Sequence, residues 1–127
     1  MKSLRILLTG GSSGIGAATA KTLTAAGHRV TLIARNQSAL DAVARACASD
    51  LIRTEQADVT DADAIDKAVQ AAISAWGGID ACIPNAGLGV FSPLKDAAFD
   101  DWKKMVDVKI GGVLNTLHSC LPILVDN

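Results

Sequence analysis

The chain has 127 residues, half of them hydrophobic, which suffices for one domain with a packed core and not for two. Its formal net charge is -1 with acids and bases interspersed. No basic stripe is therefore present to displace counterions from a nucleic-acid backbone, and nucleic acid is not expected as a partner. The three cysteines, Cys47, Cys82 and Cys120, are odd in number, widely spaced and set in apolar stretches. That pattern favours small buried side chains over a disulfide framework or zinc site, and no metal is expected.

The first apolar run, Leu4 to Thr9, predicts a buried strand. It contains Arg5 and is closed by Gly10-Gly11 well short of a membrane span, so the chain reads as soluble and cytoplasmic with no membrane partner. A helix is expected from about Ile15 to Ala26, with Gly27 placed to end it. A second strand follows over Val30 to Ala34. Asn36 then suits the N-cap of a helix whose Leu40, Val43, Ala44 and Cys47 share a face, and extended character resumes at Ile52 to Ala57. Asp58-Val59-Thr60-Asp61 opens a third helix with Ile65, Val69, Ala72, Ile73 and Trp76 on one stripe, stopped by Gly77-Gly78. Ile79 to Pro84 is the fourth strand. After a turn-rich stretch from Asn85 to Pro93, a last helical pattern runs from roughly Asp100 to Leu121, with Gly111-Gly112 as a point of interruption. His28 and His118 have no partners in sequence that would mark a catalytic triad and are read as structural.

Short strands alternating with helices of ten or more residues imply right-handed parallel crossovers. The expected fold is α/β: a single domain over residues 1–127 forming a partial, Rossmann-like doubly wound parallel sheet with helices on both faces and strand order 3-2-1-4.

Thr9-Gly10-Gly11-Ser12-Ser13-Gly14-Ile15-Gly16 lies between the first strand and the first helix, where a glycine-rich turn offers backbone N–H groups to a pyrophosphate. The candidate cofactor-binding residues of this turn are Gly10, Ser12, Ser13, Gly14, Ile15 and Gly16. Gly16 would let the helix pack close to the strand, and the serines offer hydroxyl donors. Seen alone, the loop also reads as a glycine-rich connection without a ligand. At the end of the second strand an acid would accept from the ribose 2′-hydroxyl of NAD, whereas an arginine suits the 2′-phosphate of NADP. The sequence there is Ala34-Arg35, which favours NADP(H) over NAD(H), although an arginine after a strand is common on any surface.

The turn is similar to T-G-x-x-x-G-x-G, the form found in the short-chain dehydrogenase/reductase family. Three further stretches resemble that family in register. Asp58-Val59 matches its adenine contact, through the Asp58 carboxylate and the Val59 amide; taken alone, Asp58 equally reads as a helix N-terminal acid. Pro84-Asn85-Ala86-Gly87 resembles N-N-A-G, which implies that Asn85, Ala86 and Gly87 line the cofactor, with Pro84 in place of the usual first Asn. Asp80, Trp102 and Asp107-Val108 also match, so the likeness spans essentially the whole chain.

The resemblance implies an NADP-dependent oxidoreductase that moves hydride between a nicotinamide and a small alcohol or carbonyl substrate. It also implies a homo-oligomer, because the fifth helix often serves as a subunit interface in relatives. The family's proton chemistry uses a Tyr with a Lys four residues later and a Ser on the preceding strand, all beyond the fifth helix, and these 127 residues contain no tyrosine. No catalytic residue is therefore assigned. Lys109 stands where the family has an Asn; it reads first as a solvated charge and second as a functional substitute. The chain is thus expected to be the family's cofactor-binding part, cut before the Ser and Tyr-x-x-x-Lys segment, and to bind cofactor without turnover. A non-catalytic NADP-binding module and a degenerate fragment are the alternatives.

Overall fold

The computed structural model describes residues 2–126. Four strands, β1 (Arg5–Thr9), β2 (Arg29–Ala34), β3 (Ile52–Gln56) and β4 (Ala81–Pro84), alternate with α1 (Gly14–Ala25), α2 (Gln37–Cys47) and α3 (Ala62–Trp76). A single 3-10 turn at Leu94–Asp96 then precedes α4 (Phe99–Val106), a π-helical turn at Asp107–Gly111, and α5 (Gly112–Val125). All pairings are parallel in the order β3-β2-β1-β4, as expected, with Leu7 opposite Thr31 on one side and Cys82 on the other.

The central strands are apolar at successive positions because both sheet faces are covered. Leu7 and Ile33 pack with Val59, Ile65, Val69, Ile79 and Cys120 on the α3 and α5 side, while Leu8, Val30 and Leu32 pack with Ala20 and Leu40 under α1 and α2. Helix ends follow local chemistry. Asn36 accepts from Ala39 N at 3.0 Å and Asp61 from Ala64 N at 3.1 Å, and Gly77 ends α3 in the left-handed region at φ 79°.

Four expectations need correction. β4 starts at Ala81 and not Ile79, because Gly78 and Ile79 are still turning into the sheet and Asp80 is engaged with Arg5 before the ladder begins. The last helix runs unbroken from Phe99 to Val125, 27 residues. Gly111-Gly112 does not interrupt it: the chain passes through a π turn at Asp107–Gly111 and stays helical, and Gly112 allows close packing, since a Cβ there would lie 2.5 Å from Val59 Cγ2. By length and composition this helix is also apolar enough to cross a membrane, although its Gly112, Thr116 and Cys120 face is buried against protein. Of the cysteines, Cys120 is buried while Cys47 and Cys82 are half-buried, and all three are free thiols. His28 is structural as expected, buried and accepting from Leu4 N at 3.1 Å, whereas His118 is exposed.

Arg5 and Asp80 clip the start of β1 to the entry of β4. The guanidinium donates from Nε to Oδ2 at 2.8 Å and from NH2 to Oδ1 at 2.6 Å, and Arg5 N donates to Oδ2 at 2.8 Å. These bonds hold the Asp80 carboxyl down at about 2, with desolvation opposing them. A lowered folded-state value means that the carboxylate stabilises the fold above its unfolded value near 4 and loses that contribution as pH falls toward 2. Thermal melts of wild type and Asp80→Asn should accordingly differ most near neutral pH and converge on acidification between about 4 and about 2. A gap unchanged across that range would show that the charge on Asp80 contributes nothing.

Candidate functional site

The carboxyl ends of β1, β2, β3 and β4 open into one cleft of about 820 Å³, in the size range of a cofactor pocket. It sits where strand order reverses between β1 and β4, the place where doubly wound sheets hold their ligands. Gly10, Ser12, Ser13, Gly14, Ile15, Arg35, Asp58, Val59, Asn85, Ala86 and Gly87 all line it. Of the candidates from sequence only Gly16 does not.

Gly16 is buried beneath the turn. A Cβ on it would overlap Gly10 O and fall 2.9 Å from Asn85 Nδ2, so the first turn of α1 can rest on β1 only with no side chain there. Gly10 adopts φ 69°, and a Cβ there would meet Ala86 Cα at 2.8 Å. The two crossover turns are therefore in backbone contact. Thr9 holds them in place: its buried Oγ1 accepts from both Asn85 N and Ala86 N at 3.1 Å, while Asn85 Nδ2 donates to Gly10 O at 3.3 Å. This bridging by Thr9 was not legible in the sequence, although Thr9 opens the motif.

Ser13 is the N-cap of α1, with extended backbone and no side-chain cap bond. The first amides of α1 lack intrahelical partners and carry the positive end of the helix dipole, which makes this end suited to an anion. Across the cleft, Arg35 is exposed, and among the described residues its side chain makes no hydrogen bond or ion pair; its carbonyl accepts from Gln56 Nε2 at 2.9 Å. It precedes the N-terminus of α2, whose first turn holds no acidic residue. Gln37 bonds Asp41 at 2.8 Å and Thr54 at 3.0 Å, which keeps that nearby acid occupied.

Asp58 lines the cleft, and its Oδ1 accepts from Thr60 N at 2.9 Å and from Thr60 Oγ1 at 2.8 Å. The N-cap of α3 is Asp61, so the reading of Asp58 as the acid of that helix terminus is overturned. Val59 is buried beside it, and its carbonyl accepts from Asn115 Nδ2 of α5 at 2.9 Å. Asn36, Gln37, Gln56, Leu88 and Val108 also line the cleft. Sequence reasoning did not assign them to the site: Asn36 is read there as a helix cap and Val108 as part of a family match, and only the convergence of strand ends and the π turn brings all five to the cleft. Lys109 in that turn is exposed, with its Cε 4.0 Å from where a Cβ on Gly87 would stand, so its stem passes the rim of the cleft.

A parallel sheet with a glycine-rich crossover at its switch point, facing an asparagine turn on the next strand, defines a Rossmann-like dinucleotide-binding architecture. Residues 5–127 match the family model of short chain dehydrogenases, and the chain belongs to that family. An uncharacterised oxidoreductase of Staphylococcus aureus (strain MW2) is 35% identical over 120 residues, covering 94% of this chain and 52% of the relative. The chain thus spans about half the length of the curated relatives it matches. Among solved structures it is similar to a 3-ketoacyl-(acyl-carrier-protein) reductase of Brucella melitensis complexed with NADH, with TM-score 0.91, 28% identity and coverage of 96% of this chain and 50% of that one. It is similar as well to an alcohol dehydrogenase of the archaeon Thermococcus sibiricus complexed with 5-hydroxy-NADP, with TM-score 0.89, 28% identity and coverage of 97% and 54%.

Proposed function

We propose that the cleft binds NADP(H) and that the chain is the cofactor-binding part of an oxidoreductase transferring hydride between the nicotinamide and a small alcohol or carbonyl compound. The observation that carries the cofactor choice is the unpaired guanidinium of Arg35 beside the acid-free N-terminus of α2, since a cation and free helix N-terminal amides together favour a dianionic 2′-phosphate. In this reading Asp58 and the Val59 amide hold the adenine. The amides of α1 with Ser12 and Ser13 hold the pyrophosphate, and Asn85, Ala86 and Gly87 flank the nicotinamide end. The free N-terminal amides of α1 and the open space beside Gly14, which lines the cleft, fit such a group. The bound nicotinamide supplies the hydride chemistry. Relatives complexed with NADH and with 5-hydroxy-NADP support a nicotinamide cofactor of either kind.

Titration followed by nicotinamide fluorescence tests this. NADPH is expected to bind at least about tenfold more tightly than NADH. Equal affinities would remove the NADP preference, and no binding of either would remove the reading altogether. The 127-residue polypeptide should not oxidise NADPH with small ketones, because it holds no tyrosine and Lys109, with three donors and no acceptor, cannot relay a proton as an Asn does.

The same reading places the protein in the cytoplasm without a membrane or nucleic-acid partner and makes it a homo-oligomer. Val106, Ile110, Leu114, Leu117, Leu121 and Val125 recur every three or four residues along α4 and α5, all exposed, as one continuous apolar stripe. Sedimentation should show a dimer or larger species for wild type and a smaller one for Ile110→Glu. A monomeric wild type would rule out this stripe as a self-association face.

A further inference from the structure

A residue of α5 reaches the turn that carries Asp58. Asp61 N donates to Asp58 O at 3.0 Å, closing a reverse turn over residues 58–61 whose central peptide group joins Val59 to Thr60. Both polar ends of that peptide are held. Its carbonyl oxygen accepts from Asn115 Nδ2 at 2.9 Å, and its N–H, the amide of Thr60, donates to Asp58 Oδ1 at 2.9 Å. Thr60 Oγ1 adds a second bond to the same carboxyl oxygen at 2.8 Å. Asp58 Oδ2 and the Val59 N–H have no protein partner among the described residues, and Asp58 and Val59 both line the cleft. Asn115 itself is half-buried on α5 and does not line it. It comes so near because Gly112, on the same inner face of α5, has no side chain: a Cβ there would stand 2.5 Å from Val59 Cγ2.

We infer that Asn115 is a positioning residue for the base of the cofactor. By holding the Val59–Thr60 peptide it locks Asp58 Oδ1 onto Thr60 and leaves Oδ2 as the acceptor for an exocyclic amino group, so that the cleft selects a 6-aminopurine over a 6-oxopurine. The inference rests on the reading of Asp58 and the Val59 amide as the adenine contact. Adenine brings an amino donor to Oδ2 and a ring-nitrogen acceptor to the Val59 N–H. Hypoxanthine brings a carbonyl oxygen to the carboxylate and a ring N–H to the amide, so acceptor faces acceptor and donor faces donor.

Type I and type II turns keep the closing bond and differ mainly in the orientation of the central peptide, by about half a turn, so the closing bond alone does not fix that peptide. Thr60, being β-branched, resists the positive φ that a complete inversion demands, so a freed peptide rocks without inverting. Without Asn115 the half-buried Val59 carbonyl loses its donor and swings toward water. The Thr60 N–H is part of the same rigid plane, swings with it and leaves Asp58 Oδ1. The carboxyl group is then free to rotate, and its two oxygens no longer present one fixed acceptor to an amino group. Asn115 thus acts on the cleft from outside it, through a single peptide group.

The test compares NADPH with its hypoxanthine analogue, in which a carbonyl oxygen replaces the 6-amino group, by nicotinamide fluorescence in wild type and Asn115→Leu. Wild type is expected to bind NADPH at least about tenfold more tightly than the analogue, and Asn115→Leu to lower that ratio to about threefold or less. In cofactor-free protein, the Thr60 amide should exchange with solvent at least about tenfold faster in Asn115→Leu than in wild type. An equal loss of affinity for both cofactors, with the ratio unchanged, would make Asn115 a structural contact only and overturn its role in base choice. Unchanged exchange at Thr60 would overturn it too, by showing that Asn115 does not hold the peptide. Where Asn115→Leu fails to fold, isotope-labelled wild type decides. The Asn115 side-chain amide resonance should shift on saturation with NADPH and move about half as far or less with the analogue, and equal shifts would overturn the role. Wild type that binds both cofactors equally well overturns it while leaving the cofactor reading in place, whereas no binding of NADPH at all removes the cofactor reading and the base selection with it.

Discussion

Gly16→Ala is expected to cripple both the fold and the cleft. The added methyl would overlap Gly10 O and press on Asn85 Nδ2, so α1 must lift from β1 or the turn must leave its place. Either movement breaks the Asn85 to Gly10 hydrogen bond and shifts Gly10, which lines the cleft. Overpacking of this kind costs about 1–3 kcal/mol and more where backbone is the obstacle. A drop in melting temperature and a loss of NADPH affinity on the order of 100-fold should follow, the latter being about 2.7 kcal/mol. Gly14→Ala is the control. Gly14 has φ 54°, but a Cβ there meets nothing within 4 Å, so the substitution carries only left-handed backbone strain of about 1–2 kcal/mol. If calorimetry finds Gly16→Ala no less stable than Gly14→Ala, close packing at Gly16 is not what holds the two turns together.

The second large effect is on cofactor choice. Arg35→Asp removes the one cationic side chain lining the cleft among the described residues and puts a carboxylate where the 2′-phosphate is proposed to sit. NADPH then loses a charge-assisted contact and gains a like-charge neighbour, while NADH gains an acceptor for its 2′-hydroxyl. Each contribution is about 1.5–3 kcal/mol, so the ratio of NADPH to NADH affinity should fall by about 100-fold or more, with little change in melting temperature because Arg35 is exposed and unpaired. Titration of both cofactors against wild type and variant decides it. An unchanged ratio would mean that the 2′-position is read elsewhere, with Asn36, Gln37 and the α2 N-terminus the next residues to change.

Most of the framework was legible in the chain. The run Leu4 to Thr9 and the run Val30 to Ala34 are apolar at successive positions, which only a strand covered on both faces tolerates, and each is followed by a helix-length stripe. Asn36, Asp61 and Gly77 announce helix ends because caps act within a few residues of themselves. The last helix was harder to delimit. Gly111, Gly112 and Pro122 are breakers by propensity, yet the chain stays helical through all three, since the close approach of Gly112 to Val59 outweighs its propensity and Pro122 lies in the final turn.

By itself, then, the sequence determined the alternation of strands and helices and a glycine-rich turn after the first strand, both of which follow from local spacing and backbone permissiveness; the order 3-2-1-4 was an expectation that the assembled sheet bears out. Tertiary structure alone decided which groups share the cleft: that Gly16 supports the turn from beneath without facing the cavity, that Thr9 ties two crossovers together, and that Asp58 is free of α3's cap. These are contacts between residues distant in the chain. Side-chain periodicity reports which face a residue occupies, but the partner it meets there is set by strand order and helix packing, and those come into being only when the whole sheet is assembled.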